Sequence, residues 1–192
     1  MKEIVLKKLY RYDEGLRQYY IDVQLDHYRD AYSDWDYAPF AYRDMNDGLT
    51  AYLLACASEL LSKKVVMNFH ILDHDQNKAR EEGSIRSIYH NFDYKLRGLR
   101  HHRMREVRET VIFFVIGFMF LSAGTAIESY IANDFLEQVI SEGLFIGGWV
   151  MVWEMFTKWL FDIRKISYEI KRFKWLMSLD IIYSYPKIES NN

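Results

Sequence analysis

Cysteine and proline are almost missing from this 192-residue chain: Cys56 is its one thiol, and Pro39 and Pro186 are its two prolines. A lone cysteine excludes an internal disulfide and any zinc site built from several thiolates. Its setting, LLACASELL, suits a small buried residue on a helix, with a catalytic thiol as the lesser reading. Scarce proline and 17% aromatic residues fit a helix-rich chain with many residues suited to a bilayer interface. No charge of either sign dominates. The 25 Lys and Arg residues meet 27 Asp and Glu, and a net charge of −2 argues against a nucleic-acid partner. The patterns of chemistry are missing as well. There is no Gly-rich phosphate loop, no nucleophile elbow and no HExxH pair, so no catalytic residue, cofactor or metal site is assigned. The opening residues, MKEIVLKKLYRYDEG, hold no apolar core of signal-peptide length, which leaves membrane insertion to internal segments.

Two such segments are present. Thr110–Ile127 carries no charge, and Val139–Phe161 is interrupted only by Glu142, Glu154 and Lys158. They are expected to form a transmembrane hairpin with spans at about 110–129 and 139–161. The alternative is a buried hairpin in a soluble protein, but a soluble core of this size could hardly cover both segments.

Before the hairpin, residues 1 to 17 read as a peripheral strand or loose extension. Ile21, Val23 and Leu25 alternate with Asp22 and Gln24, which predicts a half-buried strand over Tyr19–Leu25. The acidic, aromatic stretch from Asp26 to Phe40 reads as an ordered loop, with Trp35, Tyr37 and Phe40 available to pin it to a core. Asn46 or Asp47 can cap a helix through Leu49, Leu53, Ala57 and Leu60. Alternation returns at Val65, Met67, Phe69 and Ile71, with Asn68 and His70 on the other face. Strand, helix, strand in this order favours a parallel βαβ unit. Two strands make a marginal sheet, so its edge needs cover from residues 2 to 10, from the next helix or from another subunit. Asp73–Ser84 reads as a loop. Beyond it, Ile85, Ile88, Phe92 and Leu96 predict a long helix running toward the first span, with Gly98 its weak point. The expected fold class is α+β. It comprises a cytoplasmic domain (1–79), a basic connecting helix (80–109), the hairpin (110–161) and a basic cytoplasmic tail (162–192).

Charge sets the expected topology. Lys95–Arg108 holds six Lys or Arg against Glu106, and Lys158–Lys174 is again basic. The turn between the spans carries Glu128, Asp134, Glu137 and Glu142 and no base. Basic flanks stay cytoplasmic and meet anionic lipid. Within the hairpin, Gly143 and Gly147 form a GxxxG pair with Gly148 adjacent, and Ser122 and Ala126 are spaced alike. These small residues serve either oligomerisation or packing within the hairpin. Glu154 is the in-span carboxylate; an ion pair with Lys158 or reach to the interface competes with an ion-pathway role. His70, Asp73, His74 and Asp75 are the only ligand-like cluster, and solvated loop chemistry is the favoured reading over a metal site.

Two stretches carry a resemblance to a known family: Pro39-Phe40 and Arg43-Asp44 with the following helix and strand, and Glu142-Gly143-Leu144 through Gly148-Trp149-Val150, Trp153 and Leu160-Phe161-Asp162. Over residues 20 to 175 the chain resembles a family of uncharacterised bacterial two-span membrane proteins. It departs from their pattern after Trp153, with Glu154-Met155 and Thr157 where relatives have Arg-Pro and, one turn on, an acid. The resemblance implies a small cytoplasmic domain, a basic long helix, two spans and a basic tail, with no activity attached. Pro39, Phe40, Arg43 and Asp44 are expected to shape a loop of the domain. The functional expectation is an inner-membrane scaffold or homo-oligomerising interaction protein without enzymatic activity. An oligomeric effector or ion channel gated by its cytoplasmic domain is the alternative.

Overall fold

The computed structural model describes residues 3–39, 42–71, 76–127 and 134–185. It is a mixed α+β chain with a four-stranded sheet and long helices, two of them long and apolar enough to cross a membrane. It divides into two compact units, Met1–Arg97 with Lys171–Asn192, and Gly98–Ile170.

The first unit contains the sheet. Helix α1 (Glu3–Leu9) precedes strands β1 (Arg11–Asp13) and β2 (Gln18–Leu25); helix α2 (Asp47–Leu60) leads to β3 (Val65–Ile71), and β4 (Asp180–Ser184) closes the order β1-β2-β3-β4. β1 is antiparallel to β2, whereas β2, β3 and β4 are mutually parallel. The expected βαβ unit is present, with Ile21 opposite Met67 and Val23 opposite Phe69. β1 flanks the first three residues of β2, and β4 flanks β3 from Val66 to His70. Residues 1 to 17 differ from expectation. Glu3–Leu9 is helical, with Leu6 buried and Tyr10 N–H donating to Leu6 O at 2.9 Å; only the next three residues pair as a strand.

Asn46 is the cap of α2: its Oδ1 accepts from Gly48 N at 2.8 Å and Leu49 N at 3.3 Å. Leu53, Cys56, Ala57 and Leu60 line the buried face, and Ser62 ends the turn with φ 74°. The stretch before α2 is held otherwise than expected. Trp35 and Tyr37 are almost fully exposed, Phe40 lies outside the described residues, and Tyr28, Ala31 and Tyr32 pin the segment instead. A 3₁₀ turn at Tyr28–Ala31 directs these three inward.

Helix α3 (Lys78–Ile127) is a single helix of 50 residues that includes Gly98. It begins inside the stretch read as a loop, because Asn77 Oδ1 accepts from Arg80 N at 3.2 Å and Glu81 stands in the first turn, where the helix dipole favours an acid. Its buried face in the first unit mixes Ile88 and Phe92 with Ser84, Ser87 and Asn91. The polar members have partners: Tyr183 OH donates to Ser84 Oγ at 2.7 Å, and Asn91 accepts from Met45 N and donates to Arg43 O.

The second unit contains the apolar half of α3 and helix α4 (Asp134–Thr157). A five-residue π turn at Lys158–Asp162 joins α4 to α5 (Ile163–Leu176), whose stripe Ile166, Ile170, Phe173 and Leu176 is buried. Phe173 meets Phe92 of α3 edge-on, 6.1 Å between ring centroids.

Candidate functional site

The alternation that buries Ile21, Val23, Met67 and Phe69 turns Asp22, Asn68 and His70 to the opposite face of the sheet. Parallel register sets Asp22 beside Asn68; β4 brings Ser184 beside His70, and β1 brings Arg11 beside Tyr20. A polar row therefore crosses all four strands, centred on one carboxylate. Asp22 accepts from Arg11 Nε at 2.9 Å, Arg11 Nη2 at 2.8 Å and Asn68 Nδ2 at 2.9 Å, and lies 2.8 Å from His70 Nε2. Burial pushes the Asp22 carboxyl up, but these donors outweigh it and hold it down at about 2. Beyond the imidazole, Ser184 Oγ donates to Asn68 Oδ1 at 2.5 Å and stands 3.2 Å from His70 Nδ1.

Ser184, His70 and Asp22 make a hydroxyl–imidazole–carboxylate line, the layout of an activated nucleophile. Two contacts oppose that chemistry. The Ser184 proton is directed at Asn68 rather than at the imidazole, and the Arg11 guanidinium neutralises Asp22. The arrangement suits a cross-strand lock that fixes register and presents a partly exposed imidazole. His70 is the one member of the ligand-like cluster that can be placed; Asp73, His74 and Asp75 lie outside the described residues. Among the described residues no group of three acids, histidines or cysteines is arranged to hold a metal. Alternation in the sequence points to Asp22, Asn68 and His70, whereas Arg11 and Ser184 carry no local signal.

In the second unit, the small residues divide between two surfaces. A Cβ on Gly148 would stand 2.7 Å from Leu121 Cγ and 3.1 Å from Gly117 O, and one on Gly117 would stand 3.1 Å from Gly148 O. α3 and α4 thus touch backbone to backbone at Gly117 and Gly148. Gly147 faces the Phe120 ring, Gly124 faces Phe145, and Ser141 Oγ donates to Gly124 O at 3.2 Å. Gly143 has nothing within 4 Å of its Cβ position, and Ser122 and Ala126 are exposed. Gly117 and Gly124 carry no signal in the sequence, because their partners lie on α4 and no GxxxG pair marks them.

Lys158 is not paired with Glu154. Its ammonium lies 2.9 Å from Glu106 Oε2 and 2.9 Å from Glu109 Oε2, both on α3, with side chains of Lys158 and Glu106 only 14% and 12% exposed. Two carboxylates across the helix pair outcompete the single one a turn earlier. Glu154 is exposed, and among the described residues no ion pair reaches it. The clasp borders a polar cavity of about 390 Å³ shared with His102, Asp162 and Lys165.

Around Pro39, Tyr42 N donates to Pro39 O at 2.8 Å and Arg43 Nε to Ala38 O at 3.1 Å. Asp44 contributes its backbone, its N–H donating to Asp36 Oδ2 at 2.8 Å; Asp36 also accepts from Ala38 N, and these two amides hold its carboxyl below the usual range. Asp36 is therefore an organiser of this loop. With the fold and these sites in place, comparison with known proteins finds no protein-family model, no curated protein and no solved structure that matches the chain.

Proposed function

We propose that this is an integral inner-membrane protein whose hairpin of α3 and α4 crosses the bilayer with the sheet-bearing unit and both termini in the cytoplasm. In this reading it acts as a homo-oligomerising scaffold or interaction protein rather than an enzyme. The outer surface of the hairpin supports the membrane assignment. Phe114, Phe118, Ile146, Trp149, Val150 and Trp153 are all exposed, an apolar surface that water disfavours and hydrocarbon accepts. The basic flanks supply the orientation and contacts with anionic lipid.

One observation carries the oligomer. Gly143 and Glu154 lie three helical turns apart, hence on one face of α4, where the glycine opens onto free space and the carboxylate is exposed without an ion pair among the described residues. A carboxylate facing lipid is costly, and a small residue beside it lets another helix approach. A second copy on this face answers both. The alternative, a pore lined by several hairpins, draws on the same carboxylate and requires the same assembly.

The test is the mass of the purified protein in nanodiscs, by mass photometry, beside Gly143→Phe. A discrete oligomer dispersed by the substitution is expected. A monodisperse monomer with no co-purifying partner refutes the assignment, and a reporter fused after Asn192 that is active outside the cytoplasm refutes the topology.

A further inference from the structure

A cavity of about 600 Å³ opens beside the carboxyl ends of β2 and β3. That is a volume suited to a small-molecule ligand, and the carboxyl ends of parallel strands are where open α/β sheets place ligands. Its wall on one side is His27, Tyr28 and Arg29, directly after β2; on the other it is Asn77, Arg80 and Gly83, at the start of α3.

The chemistry of this wall selects its ligand. Arg29 and Arg80 place two arginines on the wall of one cavity, and none of the described lining residues is a carboxylate. Asp30 stands 3.8 Å from Arg29 Nε, a long contact on one edge of the fork that leaves the terminal nitrogens. Arginine's planar donors match phosphate oxygens two at a time. The Ala79 methyl, beside the edge of the otherwise buried Tyr28, gives the cavity an apolar side that a free inorganic anion does not need. Gly83 contributes space: a Cβ there meets nothing within 4 Å. We propose that this cavity binds a soluble phosphate ester with an apolar body, a nucleotide, with Arg29 and Arg80 on the phosphate and the base along the Ala79 side of the cavity.

The experiment is calorimetric titration of ATP, with inorganic phosphate as the bare-anion probe, into the full chain in phosphatidylcholine nanodiscs. Saturable ATP binding is expected, weakened about tenfold by Arg29→Ala and by Arg80→Ala, each of which removes a charged contact to phosphate. Gly83→Leu should abolish binding without lowering the thermal midpoint, since the added side chain enters open space on a helix that glycine does not favour. That variant separates a blocked site from an unfolded one. Inorganic phosphate should bind more weakly than ATP, at the same arginines. Repeating the titration in discs doped with phosphatidic acid distinguishes the source of the phosphate: an unchanged ATP affinity fits a soluble ester, and a lost one overturns that assignment in favour of a lipid headgroup. No saturable binding of ATP, or binding that Gly83→Leu leaves intact, overturns the proposal. None of these outcomes depends on the oligomeric state, so the scaffold assignment stands or falls separately.

Discussion

Gly148→Ala, set against Gly143→Ala, tests whether the hairpin is held by close backbone approach. Both substitutions add one methyl group to the same helix and replace the same residue. At Gly148 the methyl would sit 2.7 Å from Leu121 Cγ, 2.8 Å from Leu121 Cδ2 and 3.1 Å from the backbone oxygen of Gly117. The leucine can rotate, but a backbone oxygen on the facing helix moves only if the helices separate. Such overpacking costs roughly 1–3 kcal/mol. At Gly143 the methyl meets nothing within 4 Å, and helix propensity favours alanine by up to about 1 kcal/mol. The two variants should therefore differ by about 2 kcal/mol or more, roughly a thirtyfold change in the folded-to-unfolded ratio. Reversible unfolding by SDS in mixed micelles, followed by circular dichroism at micelle dilutions that keep the chain monomeric, measures both on one scale. Gly117→Ala is the reciprocal control and should behave like Gly148→Ala. Equal stability of the Gly148 and Gly143 variants would refute the crossing geometry and return the GxxxG pair to the centre of hairpin packing.

Two further outcomes follow from the charged contacts. Lys158→Met should destabilise the hairpin and Glu106→Gln should recover part of that loss. A double-mutant cycle would read a coupling of about 1 kcal/mol, while Glu154→Gln does not lower stability; coupling of Lys158 to Glu154 instead would contradict the clasp. Acid should unlock the polar row of the sheet. Because the folded carboxyl of Asp22 is depressed to about 2, its contribution is complete above the unfolded value near 4 and disappears as pH falls from there through about 2. Partial exposure screens this to about 1 kcal/mol. Denaturation midpoints across that window should fall in the wild type more steeply than in Asp22→Asn, and parallel curves would show that the row contributes nothing.

Much of this architecture is legible in the sequence wherever periodicity is local. Alternation identifies β2 and β3, helical spacing identifies α2 and the body of α3, and absence of charge identifies the two apolar helices. What the sequence conceals is decided by partners distant in the chain. β4 is five residues long, and its place beside β3 depends on a register formed across more than a hundred intervening residues. Trp35 and Tyr37 look like anchors by size, yet Tyr28 and Tyr32 are inward because a 3₁₀ turn rotates them there. Lys158 offers a ready partner in Glu154 by spacing along one helix, and loses it to two carboxylates on another. The same limit applies to the polar row. Its two central strands announce Asp22 and His70, but nothing near Arg11 or Ser184 reveals that they complete it.

The late arrival of β4 has a consequence for biogenesis. When the ribosome has finished β3, the strand that becomes the interior of the sheet is still an edge, with a row of unpaired amides and carbonyls beside Met67 and Phe69. It stays so until both apolar helices have been synthesised and Asp180–Ser184 emerges. Completion of the sheet is thus a report that the whole hairpin has been made. A chain cut short in either apolar helix exposes the β3 edge to aggregation or proteolysis, so quality control of the sheet doubles as quality control of the helical hairpin.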